Sequence, residues 1–568
     1  MITSYHTLTR QLTALASCFL LLASTAIAAP NIIIVMTDDQ GYGDLSLTEN
    51  KLIKTPHIDS LAKDGAWLTR FYVSPVCTPT RAALMTGRYP QRTRAYDTYI
   101  GRAQMDPEEV TIAECLRSTG YATGIFGKWH LGDCYPLRPT EQGFDYAIVH
   151  NGGGLCQPAD PIANKNRYTN PVLALNNKYQ QFSGYCTDIY FDHALKFIDR
   201  AKESKKPFFC YIATNAPHGP FHDVPEKNYK NFKGKARNDK EARIFAMIEN
   251  VEENMGKLLK HLEKNQLVEN TLVIFLTDNG PNTGRFVGPF RGNKGQVLEG
   301  GVRTSFLARW PAKIKPGHKN NTTAAHIDLF PTLIEIAGAK SNSKIDGTSI
   351  LPLLTGETPE SFPSNRTMVF QWHRGVPEKR RKFCLIAGKW KLTSVKDKPA
   401  KLADLKLYDT DADPAERHDL SKKHPSRLKH MLAHYDAWFT NIAATREDTF
   451  APPRIVIGTP HETHTRFTKQ DWLRTAGQGW GALGHWMIEA KMDKTYTAHI
   501  HLSGAAKDKK TNIIVHAGAH QFPATIPAGK KLLTIHNLKI PQGKYQLSVT
   551  TSDGKPVPHF HQLHLVQK

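Results

Sequence analysis

Asn31-Ile32-Ile33-Ile34-Val35-Met36-Thr37-Asp38-Asp39-Gln40-Gly41-Tyr42-Gly43-Asp44 is the stretch that decides the fold. Ile32 to Met36 is apolar at every position. A strand with one wet face would alternate, so this one belongs inside a parallel sheet covered on both faces. It ends on adjacent carboxylates, and Asp38 and Asp39 repel one another at a buried strand end unless a cation or partner neutralises them. In an extended chain they point to opposite sides, so a turn is needed for both to face one ion. Pro207-Phe208-Phe209-Cys210-Tyr211-Ile212 and Thr271-Leu272-Val273-Ile274-Phe275-Leu276 repeat the apolar pattern. Between them Ile244, Met247, Val251, Met255, Leu258, Leu259 and Leu262 recur at helical spacing, which makes a crossover into the second strand. That strand ends at Thr277-Asp278-Asn279-Gly280. Residues 30–340 therefore read as an α/β unit around a mixed, mostly parallel sheet between helices. The ends of neighbouring parallel strands are where such sheets bind ligands. Asp38, Asp39, Asp278 and Asn279 supply an all-oxygen set suited to a hard cation such as Ca²⁺ or Mg²⁺. Taken one at a time, each fragment is also ordinary turn and cap chemistry.

The rest of the 568 residues divides by texture. Residues 1–29 read as a secretory signal, with Arg10 in a polar start, an apolar run from Phe19 to Ala28, and Ala26-Ile27-Ala28 as cleavage site. Leu15-Ala16-Ser17-Cys18 also resembles a lipobox, but most of the apolar run follows Cys18, so a periplasmic or extracellular protein without a lipid anchor is expected. No segment is apolar for long enough to span a bilayer. Residues 341–450 suggest a small α+β subdomain, with strand signals at Phe383–Ile386 and Trp390–Leu392 and a helix from Pro425 to Phe439. After Ala451-Pro452-Pro453, residues 451–568 alternate as antiparallel β-sandwich strands, separated by turns such as Pro541-Gln542-Gly543 and Asp553-Gly554. Trp472, Trp480 and Trp486 there are able to stack on sugar rings, but burial in the core is the expectation.

The formal charge is +22. Nucleic-acid binding is the reflex reading, but export and the lack of an arginine-rich arm or RNA-binding motif argue against it; an acidic extracellular substrate fits both charge and compartment, and so does a solvated surface with no special partner. Seven cysteines remain after signal removal, with no Cys-x-x-Cys pair to suggest zinc. Cys134, Cys156 and Cys186 lie in one loop-rich region where an oxidising compartment permits disulfides. Cys77 differs. It opens Cys77-Thr78-Pro79-Thr80-Arg81, and Pro79 suits the first turn of a helix, placing the thiol near a helix N-terminus that lowers its pKa. Gly127-Lys128-Trp129-His130-Leu131-Gly132 projects Lys128 and His130 to one side if extended. His218, in Ala216-Pro217-His218-Gly219-Pro220, and Lys294, in Arg291-Gly292-Asn293-Lys294-Gly295, complete a cationic set.

Together these blocks resemble the formylglycine-dependent sulfatases, a family of the alkaline-phosphatase-like superfamily that includes bacterial polysaccharide sulfatases. Cys77-Thr78-Pro79-Thr80-Arg81 matches the family's C-x-P-x-R signature, with Thr80 where many members carry serine. Asp38-Asp39, Gly127 to Gly132, Pro217-His218, Asp278-Asn279-Gly280, and Arg291 to Gly295 with Glu299-Gly300-Gly301 follow in the family's order, and the likeness runs to Leu407-Tyr408-Asp409 and Asp413-Pro414. The resemblance implies an alkaline-phosphatase-like fold and an exported sulfuric ester hydrolase. It implies a maturation enzyme that oxidises Cys77 to formylglycine, whose hydrate attacks sulfur, and one divalent cation, Ca²⁺ before Mg²⁺, held by Asp38, Asp39, Asp278, Asn279 and the converted Cys77. By the same resemblance Arg81 stabilises the nucleophile, Lys128 and Lys294 clamp sulfate, His218 protonates the leaving group and His130 accepts a proton in the release step. His373 and Arg374 in Gln371-Trp372-His373-Arg374 are candidates to contact a sulfated polysaccharide, whose recognition belongs to loops such as Asn151 to Asp160. The alternatives are a phosphodiesterase or phosphonate hydrolase of the same superfamily, disfavoured by the single four-ligand set, and a non-catalytic carbohydrate-binding protein.

Overall fold

Strand β1 (Asn31–Thr37) is buried over its whole length. Ile32, Ile34 and Met36 enter one apolar cluster, while Ile33 and Val35 enter another on the opposite face. Each such side chain contributes roughly 1.5–3 kcal/mol on removal from water. The uniform apolar run is thus the consequence of a strand wetted on neither side. The computed structural model describes residues 29–568 apart from 156, 166, 358–361, 364, 449, 477–478 and 506–509. The secretory-signal reading, the lipobox at Cys18 and Cys156 fall outside the described residues.

The central sheet has eleven strands: β1, β2 (Ala66–Tyr72), β3 (Ala122–Lys128), β4 (Tyr146–His150), β5 (Val172–Leu175), β6 (Lys178–Gln181), β7 (Phe208–Ala213), β8 (Thr271–Thr277), β9 (Arg303–Arg309), β10 (His318–Asn320) and β11 (Ala324–Ala325). Its order is β10-β2-β9-β8-β1-β7-β3-β4-β5-β6, with β11 also paired to β2. The middle of the sheet, β8-β1-β7-β3-β4, is parallel throughout; β9 joins β8 and β2 antiparallel, and β5 joins β4 antiparallel. Helices Cys77–Thr86, Ile112–Ser118 and Leu329–Ile336 cover one face. Helices Pro56–Lys63, Cys186–Glu203 and Asp239–Lys264 cover the other. Thr37 lies level with Thr277, Gly127 with Ala213 and Lys128 with His150. Five neighbouring carboxyl ends therefore open at one edge. The strands approach there so closely that a Cβ on Gly127, whose φ is 119°, would stand 2.0 Å from the Ala213 carbonyl oxygen.

A four-stranded antiparallel sheet follows, β12 (Thr367–Gln371), β13 (Phe383–Ala387), β14 (Trp390–Ser394) and β15 (Lys406–Asp409), in sequence order. Helix Pro425–Ala443 packs on it through Leu428, Met431, Leu432 and Tyr435. The C-terminal strands form a six-stranded and a four-stranded sheet, face to face around one core. Strand Leu483–Ala490 alternates buried and half-buried positions in the way its sequence requires. Pairing is antiparallel except where Ile455–Ile457 runs parallel to Leu483–Ala490. Trp472 and Trp486 are buried, as expected; Trp480 is not. The six described cysteines are all free and buried, so the disulfides that the compartment would permit do not form among them. No helix among the described residues is long and apolar enough to cross a membrane. The whole is the alkaline-phosphatase-like α/β arrangement, with C-terminal antiparallel sheets added.

A buried ionic knot ties the small sheet to the large one. Lys391 Nζ, fully buried, lies 2.9 Å from Glu299 Oε1 and 3.1 Å from Glu416 Oε1. Glu299 also accepts from the Tyr72 hydroxyl at 3.0 Å and pairs with Arg303 at 3.1 Å, and Glu416 accepts from the Glu299 amide at 2.6 Å. This explains the acidic residue of Glu299-Gly300-Gly301: it is a structural anion, and Lys391 holds its carboxyl at about 2 against the opposing effect of burial. Lys391→Met would strand two carboxylates in a low-dielectric core. It is expected to lower unfolding free energy by about 3–5 kcal/mol, read from the denaturant midpoint at constant m-value.

Candidate active site

The five parallel strand ends bring the acidic and basic sequence candidates into one cluster. After β1, Asp39 adopts φ 64°, the left-handed conformation that turns its carboxylate to the same side as that of Asp38. After β8, the Asp278 amide donates to the Thr37 carbonyl at 3.0 Å, and Asp278 Oδ1 accepts from the Asp39 amide at 3.2 Å. Asn279 Nδ2 donates to Asp39 Oδ1 at 2.8 Å. Gly280 is required there because a Cβ would stand 2.0 Å from the Gly300 carbonyl oxygen. The buried Arg285–Asp44 pair, 2.6 Å apart, supports the turn, with Arg285 also donating to the Asp39 carbonyl at 2.8 Å.

Three cations face these three carboxylates. Lys128 Nζ, at the end of β3 and fully buried, pairs with Asp38 Oδ2. Arg81 Nη2 pairs with Asp278 Oδ2 at 2.8 Å and approaches Asp38 at 3.7 Å, while its Nη1 donates to the Lys128 carbonyl at 3.0 Å. Lys294 Nζ pairs with Asp39 Oδ1 at 2.6 Å. Burial would raise the Asp39 pKa, but Lys294 and His218 outweigh it and hold the carboxyl far below the usual range. Burial and the neighbouring Asp38 win at Asp278, pushing it up to about 6 despite Arg81.

Cys77 opens the helix Cys77–Thr86, as the position of Pro79 suggests, and is buried beside this cluster. Its Sγ and one oxygen each of Asp38 and Asp278 lie within 4.8 Å of one another; Asp38, Asp39 and His218 form a second such group. The expectation of a depressed thiol pKa is corrected. Burial pushes the Cys77 thiol up, Asp38 and Asp278 add to that, and Lys128 and Lys294 offset it only in part. A helix N-terminus does not outweigh desolvation next to two carboxylates.

The donor set fits a hard cation on one observation. Asp38 Oδ1, Asp39 Oδ2 and Asn279 Oδ1 are buried without a hydrogen-bond partner among the described residues. A buried oxygen left unpaired costs about 1–3 kcal/mol. Three at one spot, all hard oxygen donors, are what Ca²⁺ or Mg²⁺ takes.

Two histidines border the cluster. His218 lies 3.7 Å from Asp39 Oδ2 through Nε2, and its Nδ1 meets the Gly219 carbonyl at 2.7 Å. Burial, then Lys294 and Lys128, pull its pKa down to about 4 although Asp39 opposes them. Gly154 touches it, where a Cβ would stand 3.2 Å from His218 Nδ1, so the segment Asn151 to Gly154 reaches the site. His130 is buried in a left-handed conformation with φ 59°, its pKa lowered by burial and by Lys128. Sequence reading missed His150, the last residue of β4. It is fully buried, it reaches the Tyr190 hydroxyl at 3.0 Å through Nδ1, and its Nε2 is unpaired among the described residues. An apolar strand ending in histidine beside Lys128 was the available signal.

Of the two substrate candidates, only Arg374 faces the site's surroundings. His373 is 3 % exposed and turned into its own loop, with Nε2 accepting from the Glu378 amide at 3.0 Å and Nδ1 meeting the Arg374 carbonyl at 3.2 Å, so it is not available to a ligand. Arg374 pairs with Asp97, donates to Thr98 Oγ1 at 3.0 Å, and lies over the rings of Tyr99 and Trp372 at 4.4 and 5.0 Å. Trp372 packs on Gly295, next to Lys294. Trp480, from the C-terminal sandwich, extends this wall by lying 4.7 Å from Tyr99.

Comparison with known proteins agrees with this geometry. The sulfatase family profile matches residues 30–339, and that of the N-sulphoglucosamine sulphohydrolase C-terminal region matches residues 292–435. The N-acetylgalactosamine-6-sulfatase of Canis lupus familiaris is 32% identical over 364 residues, 59% of this chain and 67% of that protein. The N-acetylgalactosamine-6-O-sulfatase of Bacteroides thetaiotaomicron is 30% identical over 489 residues, 71% of this chain and 91% of that protein. The crystal structure of Ps i-CgsB in complex with k-i-k-neocarrahexaose superposes with a TM-score of 0.65 at 30% identity, over 72% of this chain and 92% of that one. A parallel-sheet edge carrying an acidic cluster beside a C-x-P-x-R cysteine, with relatives of this likeness along most of the chain, places the protein in the sulfatase family, as a sulfuric ester hydrolase.

Proposed function

We propose that the protein is an exported sulfatase acting on a sulfated polysaccharide or its oligosaccharides, with Cys77 matured to formylglycine and one divalent cation, Ca²⁺ in first place, held by Asp38, Asp39, Asp278 and Asn279. We read residues 1–29 as the signal, 30–340 as the catalytic unit, 341–450 as its subdomain and 451–568 as the sandwich. The observation that carries the reading is the convergence of Cys77 Sγ with Asp38 and Asp278, next to the unpaired oxygens of Asp38, Asp39 and Asn279. Here Sγ stands where the oxygens of the matured side chain would be. A bound divalent cation supplies Lewis acidity, lowering the pKa of a nucleophilic hydroxyl and drawing charge from sulfate.

The chain's own residues account for the rest. Three carboxylates and three cations already balance, so a divalent ion leaves a net positive centre complementary to a sulfate ester. Lys128 and Lys294 are held rigid by Asp38 and Asp39, so they bind sulfate oxygens without reorganising, which is where preorganised charge contributes most. Arg81 orients Asp278, the acceptor for the nucleophile's proton. Burial, Lys294 and Lys128 lower the His218 pKa to about 4; an arriving sulfate offsets the two lysines, raises its proton affinity and equips it, beside Lys294, to protonate the leaving alkoxide. His130 takes the proton whose loss releases sulfate. Tyr99, Trp372, Trp480 and Arg374 form a wall of aromatic and cationic character suited to a sugar bearing a further anionic group. The names of the two relatives make N-acetylgalactosamine 6-sulfate the first monosaccharide to try, and the complex of the structural neighbour makes k-i-k-neocarrahexaose the first oligosaccharide.

The reading is tested by sulfate release from those compounds and 4-nitrophenyl sulfate, with a phosphate diester of 4-nitrophenol as comparator. Mass spectrometry of the Cys77 peptide should find the aldehyde, and Cys77→Ala should lose activity by at least about 10³-fold. Full turnover by that variant ends the covalent scheme. Chelation should abolish activity and lower the melting temperature, and Ca²⁺ at about 100 times its Kd should restore about 2.7 kcal/mol of stability. An unchanged melting curve would mean no cation binds the folded site. Arg374→Ala should raise KM on oligosaccharides severalfold while leaving 4-nitrophenyl sulfate turnover unaltered; equal loss on both would remove it from the sugar wall.

A further inference from the structure

The C-terminal sandwich reaches the catalytic cluster itself. Strand His464–Thr468 ends in a turn in which the Asp471 amide donates to the Thr468 carbonyl at 3.2 Å. On the sandwich side, Trp486 Nε1 donates to the Thr468 carbonyl at 2.7 Å. On the catalytic side, the loop of residues 97–104 grips the same turn. The Gly101 amide donates to the Gln470 carbonyl at 3.3 Å, and Gln104 Nε2 donates to the Asp471 carbonyl at 3.2 Å. A Cβ on Gly101 would stand 3.1 Å from the Asp471 carbonyl oxygen, so loop and turn are in close contact. Between them lies the side chain of Gln470, 1 % exposed, with Nε2 2.5 Å from the Thr98 carbonyl and 3.1 Å from His130 Nε2.

The Thr98 carbonyl is thus shared. It lies 2.8 Å from His130 Nε2 as well. A carbonyl oxygen has lone pairs only, so a ring nitrogen at that distance carries the proton; an unprotonated Nε2 would set lone pair against lone pair. The ring proton is then on Nε2, and Nδ1 bears the lone pair. Nδ1 is buried and unpaired among the described residues. It is the atom left to accept a proton, in a ring that feels Lys128, Arg81 and His218. The amide of Gln470 supplies the second N–H to the carbonyl and lies against the Nε2 edge of the ring. It thereby fixes the carbonyl that selects the tautomer and blocks rotation of the imidazole.

We propose that Gln470 is a positioning residue for His130, so that the sandwich is a working part of the active centre and not a detachable accessory. The inference rests on the reading of His130 as a proton acceptor in the proposed function. Gln470 touches no reacting atom; it acts through the orientation of the His130 ring.

The test is a double-mutant cycle on the full-length, matured, Ca²⁺-loaded enzyme, using kcat and KM for 4-nitrophenyl sulfate. Gln470→Leu removes the donor at similar volume, and Gln470→Glu removes it with no volume change, so a variant that folds poorly leaves the other to decide. Each should lower kcat by roughly 10- to 100-fold with KM within about twofold of the parent, because proton transfer and not binding is impaired. In a His130→Ala background the same changes should cost less than about twofold further. Glu462→Gln removes the charge from another contact of the same seam, the 2.8 Å pair with Arg138, and should leave kcat within about twofold. The crystal structure of Gln470→Leu should show the His130 ring turned away from the Thr98 carbonyl. An unchanged kcat, an equal loss with and without His130, or an equal loss in Glu462→Gln overturns the inference. If His130→Ala alone keeps full activity, the proton-acceptor reading fails first and takes the inference with it.

Discussion

Buried like charges at neighbouring strand ends are the constraint on which this molecule is organised. Asp38, Asp39 and Asp278 are fully buried. In a low-dielectric interior such groups cannot stay ionised unless each has a counter-charge. Lys128, Arg81 and Lys294 meet that requirement, and each comes from a different element: the end of β3, the helix opened by Cys77 and the segment before Glu299. Two of the cations that compensate the carboxylates, Lys128 and Lys294, are those to which the proposed function assigns the sulfate ester. One electrostatic arrangement holds the strand ends together and prepares the site.

The packing around this cluster follows from the same need. Backbone segments must come close for six charged side chains to meet, which is why glycine stands at Gly127 and Gly280, where a Cβ would collide with a neighbouring carbonyl oxygen. The second ionic knot, around Lys391, joins the small sheet to the segment that follows Lys294. Displacing that sheet would disturb the lysine that pairs with Asp39. The third body is joined by the Arg138–Glu462 pair and by hydrogen bonds. Gln470 and its turn hold the loop whose Thr98 carbonyl faces His130. Three packed bodies thus converge on one edge of one sheet.

Much of this was legible in the linear sequence because the chemistry is local. An apolar run without alternation marks β1 and β8 as doubly covered strands, and the carboxylates that follow directly must lie at their ends. The C-x-P-x-R cysteine and its helix are likewise contiguous, and the order of the blocks carried the family. Where the sequence misled, a local rule met a non-local field. The thiol of Cys77 sits at a helix N-terminus, yet burial beside two carboxylates raises its pKa. His373 shares a tetrapeptide with Arg374, but only Arg374 faces the site's surroundings, because both ring nitrogens of His373 are engaged by its own loop.

By itself the sequence determined that two acidic strand ends belong to a parallel sheet and that Cys77 opens a helix, since periodicity and adjacency are properties of the chain alone. Only the tertiary structure decided which cation compensates which carboxylate, that His150 ends beside Lys128, and that Gln470 reaches His130 across 340 positions of chain. Such pairings are set by the distance between side chains after folding, and no spacing along the backbone encodes that distance.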